Sequence, residues 1–160
     1  MSALESLTDA ELFAGLSEEQ RRAVAALARE RKAAAGEILF RFGDETTEFY
    51  LIRRGRVELT FPLQVMGETK EVRQQFLEPG RTLAWSALVP PHRLTMSARA
   101  ATDVEMLAFE RHGVRELFQR QPAIGYVVMS NLANVVAARL HELRALWVRE
   151  VQRNVSQTYR

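Results

Sequence analysis

Gly36-Glu37-Ile38-Leu39-Phe40, then Phe42-Gly43-Asp44, then Phe49-Tyr50-Leu51-Ile52-Arg53-Arg54-Gly55-Arg56-Val57-Glu58-Leu59-Thr60-Phe61 decide how this chain is read. Short runs of β-branched and aromatic residues are divided by single glycines, the pattern of brief strands joined by tight turns. Val57, Leu59 and Phe61 alternate with Glu58 and Thr60, so one face of that strand is expected to be buried. Gly36, Gly43 and Gly55 fall where the backbone must turn through positive φ, which glycine does without steric cost. Asp44 can hydrogen-bond its own backbone in such a turn. Phe42, Phe49 and Leu51 are expected to fill the interior.

The same texture continues downstream. Val72–Leu77 and Val104–Phe109 add two strands, and Gly67, Pro79-Gly80 and Pro90-Pro91 supply further breaks. Short strands with no long helix between them argue for an antiparallel roll or sandwich, not a parallel α/β sheet. Upstream, Thr8-Asp9-Ala10-Glu11 and Ser17-Glu18-Glu19-Gln20 both fit the capping box that opens a helix. Leu12, Phe13 and Leu16 would edge the first helix, and Val24, Leu27 and Ala28 the second.

From Gly113 the chain reads as helix again. Val114–Phe118 forms a short one that stops before Pro122, and a long one follows from about Ala123 to about Val151. Its residues Leu132, Val136, Leu140, Leu143, Trp147 and Val151 make a narrow heptad-like seam, with Val128 and Val135 on a second edge. At 1.5 Å per residue such a helix extends about 42 Å, longer than a domain of this size needs. One edge is expected against the roll and the seam against a second copy. The organisation is thus one structural domain: a helical cap over 1–30, a β-roll over 31–112 and C-terminal helices over 113–160.

Composition bounds the function. The chain has 160 residues, 47% hydrophobic and 26% charged, so it builds its own core. It holds no cysteine, which excludes disulfides, thiolate metal sites and a thiol nucleophile. The acidic N-terminus is no secretory signal, and no apolar run is expected to reach the roughly 18 residues of a membrane span. The expected location is the cytoplasm. The formal net charge is only +2, and the arginine bias after residue 111 reads as a solvated helix face.

The quoted motif, with Leu77-Glu78-Pro79-Gly80 and Arg99-Ala100-Ala101-Thr102-Asp103-Val104-Glu105, resembles cyclic-nucleotide-binding domains. The resemblance spans roughly residues 10–150. It implies an eight-stranded, mainly β jelly roll (an antiparallel double-stranded β-helix) with flanking helices, as in the sensor half of catabolite-activator-type bacterial transcription regulators. It also implies a ligand-sensing role, a cyclic nucleotide or another small-molecule effector as partner, and a homodimer along Leu132, Val136, Leu140, Leu143, Trp147 and Val151. Those regulators carry a helix-turn-helix beyond the long helix. No nucleic-acid-binding motif of that kind occurs before Arg160, so the chain reads as a lone module or a piece of a longer regulator.

The family's phosphate cassette runs Phe-Gly-Glu-Leu-Ala-Leu, a loop, then Pro-Arg-Ser-Ala. Its glutamate takes the ribose 2′-hydroxyl and its arginine the cyclic phosphate. The matching stretch here is Leu83-Ala84-Trp85-Ser86-Ala87-Leu88, then Pro91-His92-Arg93-Leu94-Thr95-Met96-Ser97-Ala98. By that resemblance Ala84, Trp85, Ser86, Ala87, Leu88, Arg93, Thr95 and Met96 are the candidate pocket residues. Ala84 replaces the glycine and Trp85 the glutamate, while Leu94 occupies the arginine position with Arg93 one place early. Losing a charge-assisted bidentate pair of about 1.5–3 kcal/mol weakens phosphate binding roughly ten- to a hundredfold.

Three readings of this departure stay open. Arg93 reaches the pocket through a pliable loop, and the domain binds cAMP or cGMP. Alternatively, the pocket has changed ligand, with Trp85 offering a flat apolar face to an aromatic or hydrophobic molecule. In the third, the roll serves as a ligand-free structural or partner-binding module. No enzyme is expected. His92, His112 and His141 are too dispersed for a metal site, Ser86 lacks the glycines of a nucleophile elbow, and no phosphate-loop or dinucleotide motif occurs. No cofactor is expected either.

Overall fold

Tyr50 and Ile52 leave strand β3 (Glu48–Arg54) on one side, Phe49 and Leu51 leave it on the other, and all four are buried. A strand with two apolar faces needs a layer on each, and the architecture follows from that demand. The structure is a computed structural model, which describes residues 2–158. In chain order the remaining elements are α1 (Ala3–Ser6), α2 (Glu18–Ala25), β1 (Arg29–Ala33), β2 (Ile38–Phe40), β4 (Val57–Val65), β5 (Glu68–Leu77), β6 (Thr82–Leu83), β7 (Ser97–Ala100), β8 (Val104–Glu110), α3 (Arg111–Arg120) and α4 (Pro122–Thr158). A short 3-10 helix, Trp85–Leu88, follows β6.

The strands form two four-stranded sheets, ordered β1-β8-β3-β6 and β2-β7-β4-β5, with every pairing antiparallel. This is the expected roll. Between the sheets lie Tyr50, Ile52, Val57, Leu59, Met106 and Leu94. On the outer face of the first sheet, Phe49 and Leu51 join Leu107 and Phe109 beneath the helices. Phe49 stacks on Phe109 with ring centroids 5.1 Å apart, and Phe13 closes the group at 5.3 Å from Phe109. Ile124, Val128 and Leu132 of α4 are buried in the same cluster. Asn131 ties the helix down by donating to the carbonyls of Leu12 and Ala14, at 3.0 and 2.8 Å.

Several expectations are corrected. Phe49 and Leu51 are buried but face the helices, not the inside of the roll. Phe42 is 45% exposed and meets Phe61 edge-on, with centroids 5.1 Å apart. Phe61 keeps the Leu59 side of β4 but sits at the rim of the roll, 38% exposed; the β4–β5 register shift places its extra residue, Gln74, on β5. Glu58 is buried, its carboxylate accepting from Arg99 Nε at 3.1 Å on the neighbouring strand. Three strands went unread: charged β1, two-residue β6, and β7, whose alanines carry little apolar signal.

The Ser17–Gln20 capping box opens α2 as expected, whereas Thr8–Glu11 opens no helix. Glu11 instead accepts from the Thr82 backbone N–H at 2.7 Å and pairs with Arg81 at 3.2 Å. A second box, Ser2 with Glu5, caps α1. The long helix runs to Thr158, beyond the expected Val151, and β1 starts within the expected cap. Met1 and Tyr159–Arg160, the outer limits of the expected cap and helix, lie outside the described residues. The stretch at the start of α4 is also more apolar than expected: by length and a mean hydropathy of 1.3 it could cross a bilayer. Here it lays Ile124, Val128, Leu132 and Val135 onto the roll domain.

Gly55 connects β3 to β4 at φ +84°, and a Cβ there would stand 2.1 Å from the Asp103 carbonyl oxygen. Gly43 shares the backbone (φ +83°) with nothing within 4 Å. Gly43→Ala is therefore expected to cost about 1–2 kcal/mol, the left-handed penalty alone. Gly55→Ala adds a backbone clash and should cost at least about 3 kcal/mol. Urea unfolding of the two variants checks this, and equal losses would contradict it.

Candidate functional site

A cavity of about 250 Å³ opens between the roll and α4. That is slightly below the roughly 300–1,000 Å³ of pockets for drug-sized ligands, so it suits a small molecule. β6 and the 3-10 helix form its floor, β4 and β5 one wall, and the segment before β7 another. Val136, Arg139, Leu140 and Leu143 of α4 border it from outside the roll. The lining is largely apolar, including Leu59, Leu83, Leu94 and Met96.

The backbone decides which cassette side chains enter. Residues before β7 do not form a free loop: Leu94 N–H donates to the Asp44 carbonyl at 2.8 Å, and the Leu94 carbonyl accepts from Gly43 N–H at 2.8 Å. Glu45 and Arg93 form an isolated antiparallel bridge. Asp44 steadies the partner turn by accepting from the Arg41 N–H at 3.3 Å. Such pairing imposes strand alternation, in which neighbours face opposite ways. Leu94 accordingly enters the cavity wall at 5% exposure, and Arg93 turns out, exposed, its Nη1 donating to the Gly43 carbonyl at 3.1 Å.

Of the eight candidate pocket residues, Ala84, Trp85, Ser86, Thr95 and Met96 line the cavity. Arg93 does not, for the reason just given. Ala87 and Leu88 are also absent from the lining, because the 3-10 turn buries them against the helices with Phe49 and Leu51. Ala84 begins that turn in the left-handed region, at φ 56°, a conformation glycine would adopt without strain. His92 Nδ1 lies 3.0 Å from the Ser86 carbonyl, so it braces the turn and leaves the serine hydroxyl without a base. Among the described residues no group of three or more His, Asp or Glu side chains could hold a metal ion.

Four polar cavity residues had not been anticipated: Gln74, Gln75, Thr82 and Arg139. The β5 bulge brings both glutamines to the wall, re-aiming one of them. Arg139 is the single charged residue of the lining among the described residues. Its side chain is only 11% exposed, with Glu11 Oε1 at 3.6 Å and Glu142 Oε2 at 3.8 Å. Burial pulls its pKa below the ordinary arginine value, and Glu11 opposes that shift. A guanidinium stays charged even so. The signal was present in the sequence, since Arg139 falls seven residues after Leu132 and hence on the buried face of α4.

The seam residues of α4 divide. Leu132 is buried in its own domain and Val136 packs half-buried against the same cluster, so neither offers a surface to a partner. Leu140, Leu143, Trp147 and Val151 stay exposed, with Trp147 at 65%.

With this geometry in view, the relatives are informative. A model of the cyclic nucleotide-binding domain matches residues 30–121, more than half of the chain. The cyclic AMP receptor protein of Thermus thermophilus is 30% identical over 131 residues, which cover 82% of this chain and 57% of that protein. The chain thus spans little more than half the length of that relative. Among solved structures, a putative cyclic nucleotide-binding protein from Geobacter metallireducens is 30% identical with a TM-score of 0.71, covering 88% of this chain and all of that one. The Thermus thermophilus catabolite activator protein is 29% identical with a TM-score of 0.72, over 86% of this chain and 62% of that one. The two-sheet roll, its glycine-marked turns and these matches agree: the chain belongs to the cyclic nucleotide-binding domain family.

Proposed function

We propose that this chain is a non-enzymatic, cytoplasmic ligand-sensing module whose pocket takes a small, mainly apolar effector and not a cyclic nucleotide in the family's usual grip. The observation that carries this reading is the exchange at two wall positions. Leu94 and Trp85 face the cavity where the family's arginine and glutamate would grip phosphate and ribose, and Arg93 is tied outside. A cyclic phosphate would meet no cassette cation on that wall, since the one cation of the described lining, Arg139, stands on α4. Trp85 offers instead a flat apolar face.

Binding by Arg93 would require it to abandon the Gly43 carbonyl and the strand alternation set by the Leu94 hydrogen bonds. A purely structural module would leave a cavity of about 250 Å³ unfilled beneath α4. The effector reading gives that cavity a purpose. Because α4 supplies part of its border, a ligand that prefers one placement of the helix shifts the population toward it. The distal half of α4 would carry the signal onward in a homodimer, Leu140, Leu143, Trp147 and Val151 forming the seam. Leu140, Leu143 and Trp147 follow the three-then-four spacing that presents one apolar face to a like helix, and Val151 lies beside that face.

Two measurements test these statements. Titration calorimetry with cAMP and cGMP is expected to show no binding tighter than about 1 mM, a free energy of about −4 kcal/mol. Micromolar binding that disappears in Arg93→Ala would overturn the effector reading. Sedimentation is expected to show a dimer that Trp147→Asp weakens at least about thirtyfold, as loss of a central aromatic anchor does. Trp147 is the cleaner choice because Leu143 also borders the cavity. A parent protein that stays monomeric, or a variant that dimerises unchanged, would remove the seam.

A further inference from the structure

Buried polar atoms without hydrogen-bond partners concentrate at this cavity. Arg139 Nη1 and Nη2, Gln75 Nε2 and Thr82 Oγ1 are all buried and unbonded, and all belong to cavity-lining residues. Native interiors leave few such groups, and one that persists marks a place where a ligand or water completes the bonding. The two nearest carboxylates do not complete it, since Glu11 and Glu142 stand 3.6 and 3.8 Å from the guanidinium, beyond hydrogen-bond reach. Glu11 is also committed elsewhere, to the Thr82 N–H and to Arg81. The unsatisfied set is donor-rich, consisting of a guanidinium fork, an amide N–H and a hydroxyl.

We infer that the effector is a small organic carboxylate with an apolar body, its carboxylate received by Arg139 from α4 and its body seated against Trp85, Leu94 and Met96. A guanidinium fork matches a carboxylate bidentately, with Gln75 and Thr82 as additional donors. One cation among neutral and apolar walls suits one negative charge, whereas inorganic phosphate would bring more charge and more acceptor oxygens than this lining serves. The handhold also sits on the helix that carries the proposed seam. A carboxylate bound by Arg139 would therefore pull α4 toward the roll, which gives the ligand the differential affinity that switching needs.

This inference rests on the effector reading above, and the experiment separates the two. Thermal unfolding is followed with about 10 mM benzoate, phenylacetate or octanoate. The comparison arms are the matching neutral amides, inorganic phosphate and sodium chloride at equal ionic strength. At least one carboxylate is expected to raise Tm by about 3 °C or more. Its amide and phosphate should not. Arg139→Gln should weaken that carboxylate ten- to a hundredfold, about the worth of a charge-assisted pair, with partial recovery in Arg139→Lys. Equal stabilisation by the amide, a response to phosphate alone, or unchanged affinity in Arg139→Gln would overturn the inference. If Arg139→Gln does not fold, Gln75→Leu serves: several-fold weaker carboxylate binding supports the proposal and unchanged binding overturns it. Amides that bind while no carboxylate does would sink the Arg139 handhold and spare the effector reading. Silence from every compound would sink both.

Discussion

Two backbone hydrogen bonds hold the functional reading together. Leu94 donates to the Asp44 carbonyl and accepts from the Gly43 N–H, both at 2.8 Å, and with the Glu45–Arg93 bridge this pairing gives the segment a local strand-like geometry. Strand geometry allows no freedom about direction, because adjacent side chains must face opposite sides. With Leu94 inward, Arg93 must point outward, and its bond to the Gly43 carbonyl fixes it there. The cavity wall is therefore apolar at Leu94, and the charge of its described lining comes from Arg139 of α4. The glycine turn at Gly43, read from sequence as a purely architectural feature, is thus also what sets the chemistry of the pocket.

The roll itself was legible because its signals are local. Gly36, Gly43 and Gly55 all take the positive φ their spacing suggested, and the strands they separate pair as an antiparallel roll. What escaped reading depends on partners distant in sequence. The charged run Arg29–Ala33 is a strand only because β8 lies beside it. Glu11 looks like half of a capping box, yet its carboxylate is taken by Thr82 and Arg81 across the fold. Phe42 and Phe61 read as core, yet they pack on each other at the rim of the roll, both partly exposed.

The candidate site was half legible. Trp85, Thr95 and Met96, singled out from the resemblance, line the cavity. Arg93 was a pocket candidate only on the reading that its segment is a pliable loop, and the Glu45 bridge that holds it outward has no local signal in the sequence. Arg139 was overlooked for a different reason. A helical arginine ordinarily reads as solvated, and only its place in the register of Leu132 and Val135 points to burial. Such a cation is costly to keep beneath a helix unless something compensates it, which makes it the most informative residue of the pocket.

The helix α4 links these observations. Its first half is core, locked by Ile124, Val128 and Leu132 and by the Asn131 bonds, while its second half stands exposed, mostly polar apart from a stripe of Leu140, Leu143, Trp147 and Val151. The cavity lies at the junction of the two. A crystal structure grown with saturating cAMP tests the central claim most directly. The account predicts a cavity without nucleotide and Arg93 still on the Gly43 carbonyl. A fully occupied nucleotide whose phosphate is gripped by Arg93 would contradict it.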